Sequence, residues 1–512
     1  MTPGWVGEIP ADWAARDGGR LALVDAAGSH TWGELEEARH HWARRLAQLG
    51  VRPGDRVMVV GENAPAMVML LFAIATLRAW AVNVNARLSS RELAAIRAHS
   101  APRRVIYLVG VSADARAHAA ADAGAQALDG ESWGAMAVSA LDESTHAEIV
   151  EDDPTRDVAA LLYTTGTTAE PKAVMLTHAN LLFIARVACD LRRVTPADRV
   201  YGLLPLSHVY GLASVCLGSL LGGASLHLQA RFAPAAAAAF IRGERLTVCQ
   251  GVPAMYAKLL EHLKARGEKS FASPTLRFLY AGGSPLAAAL KREVESFFGL
   301  HLHNGYGLTE ASPTLTQTLP DAPRDDCSVG PAIPGVELRI VGPDGCDLPD
   351  GEVGELWARG PNVMKGYYRN PEATAATLRP GGWLATGDLA RRQPDGACFI
   401  EGRLKELIIR SGFNVFPVEV EAVLNAHPAV TQSAVVGRPV RGDEEVVAFV
   451  ELASGWHASV EELMAHCAAG LTPYKRPSRI VVLPALPAAA NGKVLKGKLS
   501  QMARELSLEP DA

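Results

Sequence analysis

The 512-residue chain has little charge of either sign in excess: 50 Lys and Arg against 55 Asp and Glu, a net charge of −5. No basic surface for nucleic acid or an anionic membrane is therefore expected. Its seven cysteines, Cys189, Cys216, Cys249, Cys327, Cys346, Cys398 and Cys467, are scattered and include no C-x-x-C pair. That excludes a zinc site or disulfide framework and fits the reduced thiols of a cytosolic protein. Long apolar runs are missing too. Ala64 to Leu77 is apolar and free of charge but too short to span a bilayer, and reads as a buried core helix. Gly211 to Leu228 also lacks Asp, Glu, Lys and Arg, but glycines interrupt it, and it reads as a buried helix followed by a strand. The opening MTPGWVGEIPADW has neither the basic nor the apolar region of a secretion signal. The expectation is a cytoplasmic protein with no transmembrane segment; monomer and homodimer both stay open. No internal repeat is visible.

What is present is ordinary globular composition, 48% apolar and 21% charged, with length for two to four domains at roughly 150 residues each. Ala22–Val24 and Ser29–Thr31 read as a hairpin, and Thr31 with Glu34 forms a capping box that opens a helix stopped by Gly50. Arg56–Val60, Ala81–Val84 and Val105–Val109 read as strands alternating with helices over Pro65–Leu77 and Ser90–Ala98, which predicts parallel α/β organisation. Residues 113–147, rich in Ala, Gly, Asp and Ser, read as loops around a short helix. After Val336 the texture changes to short strands and turns, a β-rich subdomain. Residues 405–512 read as a small α+β lid following a large domain over residues 1–404.

Four polar clusters each follow an apolar run. In open α/β sheets ligands gather at strand ends, so such clusters can meet. The first is LLYTTGTTAEPKAVML at Leu161–Leu176, where Thr164, Thr165, Gly166, Thr167, Thr168 and Lys172 offer N–H, hydroxyl and ammonium donors to a polyphosphate. Its spacing is not that of a P-loop NTPase, and Val174–Leu176 reads as a strand. The bland alternative is a polar hairpin loop. The second is Ser207-His208-Val209-Tyr210-Gly211, a histidine beside an aromatic that gates a pocket or merely packs. The third, Asn304-Gly305-Tyr306-Gly307-Leu308-Thr309-Glu310, fails the dinucleotide fingerprint because Glu310 holds the third glycine position. It sets an aromatic where a purine can lie and a carboxylate where Mg²⁺ can bind; otherwise it is a glycine-rich turn. The fourth is Thr386-Gly387-Asp388, followed by Arg403, a carboxylate suited to two sugar hydroxyls or to capping a turn. Late in the chain, Asn491-Gly492-Lys493 places a lysine on a loop tip.

Taken together and in order, these motifs resemble the adenylate-forming superfamily of acyl-CoA synthetases, luciferases and adenylation domains. YTTGTTAEPKAV is similar to its phosphate loop, NGYGLTE to its adenine and Mg²⁺ motif, TGD to its ribose motif, GRLKELIIRSG to its hinge motif and NGK to its C-terminal lysine motif. The resemblance spans nearly the whole chain. It implies an ATP-dependent acid–CoA ligase that forms an acyl adenylate and then a thioester, with ATP, Mg²⁺ and coenzyme A as the small-molecule requirements. By resemblance, residues 164–172 hold the β- and γ-phosphates, Glu310 with Thr165 the Mg²⁺, and Thr309 the α-phosphate. Tyr306 flanks adenine near Asn304, Gly282 and Gly283, and Asp388 and Arg403 hold the ribose. Lys493 bridges the acyl carboxylate and the α-phosphate, Lys405 is the hinge, and the CoA thiol passes Ser411-Gly412. His208 is implied in catalysis.

Two departures stand out: Ala169 and Ala173 occupy positions where the family's TTGxPKG pattern carries glycine. Alanine resists positive φ, so any position that needs it is strained; ATP binding is still expected because the threonines and Lys172 remain. Amino-acid-activating relatives carry Asp where this chain has Val209, which argues against an amino acid. Val209, Tyr210, Leu212, Gly283 and Gly305 are implied to line the acyl pocket. Their apolar or absent side chains suit an aryl or medium-to-long alkyl monocarboxylic acid. The rival readings are an adenylating enzyme that loads a carrier protein and a nucleotide-binding module without chemistry.

Overall fold

A computed structural model describes residues 3–164, 172–440, 442–453, 455–488 and 494–506. Two eight-stranded sheets form the large part of the molecule. In one, strands Ser225–Leu228, Arg199–Gly202, Val248–Gly251, Phe278–Ala281 and Leu302–Gly307 run parallel, with the hairpin Leu21–Val24/Ser29–Thr31 at one edge and antiparallel Thr314–Gln317 at the other. The second sheet is built on parallel Arg56–Gly61, Trp80–Asn85 and Arg104–Tyr107. On one side of these lie Val158–Thr164, Lys172–Thr177 and Gly366–Tyr367, the last two joining antiparallel; on the other lie Met136–Val138 and Gln126–Leu128.

Arg56–Gly61 and Trp80–Asn85 are buried along their whole length, as parallel strands covered on both faces should be, with Arg56, Asn83 and Asn85 as buried polar positions. The largest apolar core draws on both sheets and on two helices, Pro65–Thr76 and Tyr210–Leu217, which have no solvent-facing side. The expected hairpin, the Thr31–Glu34 capping box and the alternating strands and helices are all present.

Three expectations need correction. Residues 113–147 are not only loops around the helix Ala113–Ala121, because Gln126–Leu128 and Met136–Val138 pair antiparallel and extend the second sheet. The helix after Ser207-His208-Val209 starts inside that motif, at Tyr210, and is a π-helix. Asp388 lies within the ten-residue strand Trp383–Arg392 rather than after an apolar run, and that strand belongs to a five-stranded sheet.

The C-terminal part has its own three-stranded sheet, Val430–Val440, Asp443–Leu452 and Arg479–Leu483, with separate apolar clusters on its two faces. Helix Pro417–Leu424 packs on it, and so does helix Lys496–Glu505, which the sequence pattern did not reveal. Lys496 makes ion pairs with Glu421 at 2.8 Å and Glu406 at 3.1 Å. Among the described residues, no helix is long and apolar enough to cross a membrane.

Arg56 opens the first parallel strand with a fully buried guanidinium. It donates to the carbonyls of Ser100, Gly54, His146 and Ala101 at 2.8–3.1 Å, of which Gly54 O also accepts from the Glu148 N–H and Ala101 O from the Thr145 hydroxyl. Arg56→Met removes four charged-group hydrogen bonds at once and takes the guanidinium from the buried Ser100 carbonyl. The expected loss is about 3 kcal/mol of unfolding free energy, read as a lower urea midpoint at unchanged slope.

Candidate active site

The strand pair Val158–Thr164/Lys172–Thr177 brings Thr164 opposite Lys172. Thr165, Gly166, Thr167, Thr168 and Ala169 lie outside the described residues. Ala173 is paired with Tyr163 in regular strand and is absent from the residues with positive φ, so the missing glycine costs nothing there.

Lys172 leads directly to the third cluster. Gly366–Tyr367 adds a two-residue strand beside Lys172–Thr177, with Tyr367 opposite Val174. The Lys172 ammonium lies 5.5 Å from the centre of the Tyr367 ring, and the Tyr367 hydroxyl donates to Glu310 Oε1 at 2.7 Å. Burial first, and then the Glu310 charge, pushes the Tyr367 phenol above its ordinary range, so it stays a donor. Neighbouring backbone is fixed by two asparagines. Asn180 Nδ2 donates to Pro361 O and Val363 O, and Asn362 Nδ2 to Ala311 O and Thr314 O. The Met364 N–H donates to the Glu310 carbonyl at 2.9 Å. Tyr367 had no mark in the sequence, since a two-residue strand has no periodicity; its role depends on a partner nearly two hundred positions earlier.

The third and fourth clusters meet at Asp388, which is buried at 3% exposure. Tyr306 Oη donates to Asp388 Oδ2 at 2.5 Å, and Arg403 Nε lies 3.0 Å from Oδ1, in register across the sheet. Burial, and next the Asp388 charge, raises the Tyr306 phenol well above its usual pKa, so the proton stays on the tyrosine. An ionised carboxylate accepts several hydrogen bonds, and here Tyr306 and Arg403 each take part on a different oxygen. Thr386 Oγ1 accepts from the Asp388 N–H, and Gly387 takes φ +71°, which turns the strand locally.

The second cluster approaches the third across the first sheet. A Cβ on Gly282 would lie 3.4 Å from the Tyr210 ring and 3.6 Å from the Gly305 carbonyl. Gly283 has φ +82°, open to glycine and strained for other residues. Asn304 is buried and turned away from the cleft, its Nδ2 donating to Cys327 O and Ser328 O. Val209 and Leu212 are buried in the main core. His208 Nδ1 accepts from the Tyr210 N–H at 3.2 Å, which orients its ring at the start of the π-helix. Thr309 begins a short 3₁₀ turn with Glu310. In the C-terminal part, Lys405 is exposed, and Ser411 and Gly412 both have positive φ. Asp443 accepts from the Ser411 N–H and hydroxyl. Lys493 lies outside the described residues.

The described part of the cleft thus carries a carboxylate held by a phenol, a nearby ammonium, and a second carboxylate between a phenol and a guanidinium. Among the described residues no group of three or more His, Cys, Asp or Glu could form a metal cage. A single carboxylate suits Mg²⁺ held jointly by phosphate oxygens and water.

The sequence model of the AMP-binding enzyme family matches residues 10–368, and that of the AMP-binding enzyme C-terminal domain matches residues 419–493. A feruloyl-CoA synthase from Amycolatopsis sp. is 36% identical over 487 residues, covering 92% of this chain and 93% of that protein. The ATP-bound structure of MatB from Rhodopseudomonas palustris superposes with TM-score 0.85 at 30% identity, covering 98% of this chain and 99% of that one. A benzoate CoA ligase from Burkholderia xenovorans LB400 gives TM-score 0.84 at 29% identity over 97% and 99% of the two chains.

Tyr367→Phe keeps the ring beside Lys172 and removes only the hydrogen bond to Glu310. A hydrogen bond to a charged group contributes about 1.5–3 kcal/mol, so catalytic efficiency with ATP should fall about 10- to 100-fold, with a higher Mg²⁺ requirement and an unchanged circular dichroism spectrum. A Mg²⁺ titration of pyrophosphate release checks this.

Proposed function

This chain belongs to the AMP-binding enzyme family and is an AMP-forming acid–thiol ligase using ATP and coenzyme A; from that premise we propose that its acid is an aryl monocarboxylic acid and that the cleft residues divide the work as follows. Lys172 and the loop from Thr164 receive the outer phosphates. Glu310, held by Tyr367, is placed for Mg²⁺, which when bound neutralises phosphate charge. Asp388, flanked by Tyr306 and Arg403, receives the ribose hydroxyls. Thr309 donates to the α-phosphate. Lys493 supplies the positive charge that lets a carboxylate approach that phosphorus, since two anions must meet there. Carboxylate attack expels pyrophosphate and leaves an acyl adenylate; the CoA thiolate then displaces AMP.

The observation that carries this reading is the convergence of all four clusters on one cleft through Tyr367, Asp388 and Gly282. The aryl assignment draws on the aromatic walls, Tyr210 against Tyr280 at 6.0 Å, and on relatives named for feruloyl and benzoate substrates. We further propose that residues 405–512 rotate about Lys405 between the two half-reactions, withdrawing Lys493 and opening the path beside Ser411-Gly412. A cytosolic setting fits the seven free thiols.

Lys493→Ala separates the two halves. Pyrophosphate release from acid and ATP should fall by at least a hundredfold, while thioester formation from supplied acyl adenylate and CoA should persist. Equal loss of both steps contradicts the division of labour. Pyrophosphate release across an acid panel without any thioester when CoA is added supports a carrier-protein acceptor instead.

A further inference from the structure

The strands on the phosphate side of the cleft have a second face. Successive side chains of a strand point to opposite sides of its sheet. Lys172 and Tyr367 lie on the Glu310 side. Their neighbours Ala173 and Tyr368, together with Tyr163, face the other way, into the apolar cluster that also holds Leu161 and Trp80. These three form one row: Ala173 is paired with Tyr163, and the Tyr368 N–H donates to Ala173 O at 2.8 Å.

Behind that row lies helix Ser90–Ser100, whose last turn carries His99. Its Nδ1 shares a hydrogen bond of 2.8 Å with the Tyr163 hydroxyl, and the two rings meet edge to face. Burial pushes the Tyr163 phenol above its ordinary range, so it keeps its proton. The same imidazole meets the Tyr368 ring edge to face, with 5.8 Å between centres. Tyr368 is fixed at its far end by donating to Glu148 Oε1 at 2.6 Å, and Arg369 Nη1 donates back to His99 O at 3.3 Å. One histidine thus touches the strand that ends in Thr164 and the residue that follows Tyr367. An apolar ring at position 163 would fill the same space; the hydrogen bond adds direction, and a satisfied polar network of this kind holds its members in one arrangement.

We propose that His99 is a positioning residue for ATP: from behind the sheet it fixes the Tyr163 end of one strand and the Tyr368 end of another, and so sets the spacing between Lys172 and the Tyr367–Glu310 pair. This rests on the reading in which Lys172 and Glu310 receive the outer phosphates and Mg²⁺. Those phosphates leave as pyrophosphate in the first half-reaction, so thioester formation from the acyl adenylate does not use this spacing. A histidine that only supported the fold would serve both half-reactions alike.

The test measures KM for ATP in pyrophosphate release, and thioester formation from supplied acyl adenylate and CoA, for the wild type, His99→Leu, Tyr163→Phe, the double variant and His99→Asn. His99→Leu and Tyr163→Phe should each raise KM for ATP about three- to tenfold, as loss of one hydrogen bond allows, with thioester formation within about twofold of wild type. The double variant should be no worse than the poorer single one, because both remove the same contact. His99→Asn, which sets a polar atom where Nδ1 stands, should bring KM back toward wild type. Calorimetric titration of ATP with Mg²⁺, without carboxylic acid, should show the same weakening in Tyr163→Phe, which keeps the ring and its packing. An unchanged KM in folded Tyr163→Phe, equal loss in both half-reactions, or multiplied losses in the double variant overturns the proposal. Lys172→Met reads the assignment beneath it. A raised KM in Lys172→Met alone leaves the cleft reading standing and fails the role of His99, whereas an unchanged KM in Lys172→Met fails the cleft reading itself.

Discussion

The Asp388 carboxylate is the point on which the cleft depends. It is buried, so its charge requires partners, and among them are two from different parts of the chain: a phenol from strand Leu302–Gly307 of the first large sheet and a guanidinium from the neighbouring strand of the β-rich sheet. Losing either would leave a desolvated anion, which is far costlier than losing a surface contact. The arrangement ties the β-rich sheet to the large sheet at one atom pair, and it sets the Tyr306 ring plane as a by-product. A side chain proposed to touch the nucleotide is thus also the joint between two layers.

The other half of the cleft is joined by backbone. Two residues, Gly366 and Tyr367, extend the second sheet by one short strand, and that strand delivers a ring to Lys172 and a hydroxyl to Glu310. The two buried helices, Pro65–Thr76 and Tyr210–Leu217, make this geometry rigid from behind, since neither can shift without opening the main core. Rigid walls and fixed donors are what an enzyme needs to stabilise charge that develops only during reaction.

Much of this was legible in the sequence because the relevant signals are local. Thr31 and Glu34 announce a helix start three residues apart, and the apolar run at Arg56–Val60 reads as a buried strand. The motifs around Tyr306 and Asp388 are short and contiguous, so their residues could be named. What stayed hidden was pairing over long separations. No local pattern marks Tyr367 as a partner of Glu310, or His99 as a partner of Tyr163, because each contact is created by strand order. Met136–Val138 was passed over for a related reason: a three-residue strand offers too few alternations to distinguish it from a loop. The place of Asp388 in mid-strand was missed because Gly387 interrupts the apolar pattern that would have extended through it. The glycine-to-alanine departure at Ala173 looked like a source of strain only until its regular strand pairing was known.

Lys496 gives the C-terminal part a mechanical property. Its ammonium is shared between Glu406 and Glu421, so the first residue beyond Lys405 is fastened to the body of the small domain rather than left as slack linker. A pivot with slack spreads a turn over several residues and lets the moving part wobble. In the rotation proposed above, a pivot anchored on its far side concentrates the turn in the two dihedrals of Lys405, so that the domain would swing like a door on one pin. The anchoring lysine opens the helix that begins three residues after Lys493, so the arc proposed for Lys493 would be set by the same ion pairs that define the pin.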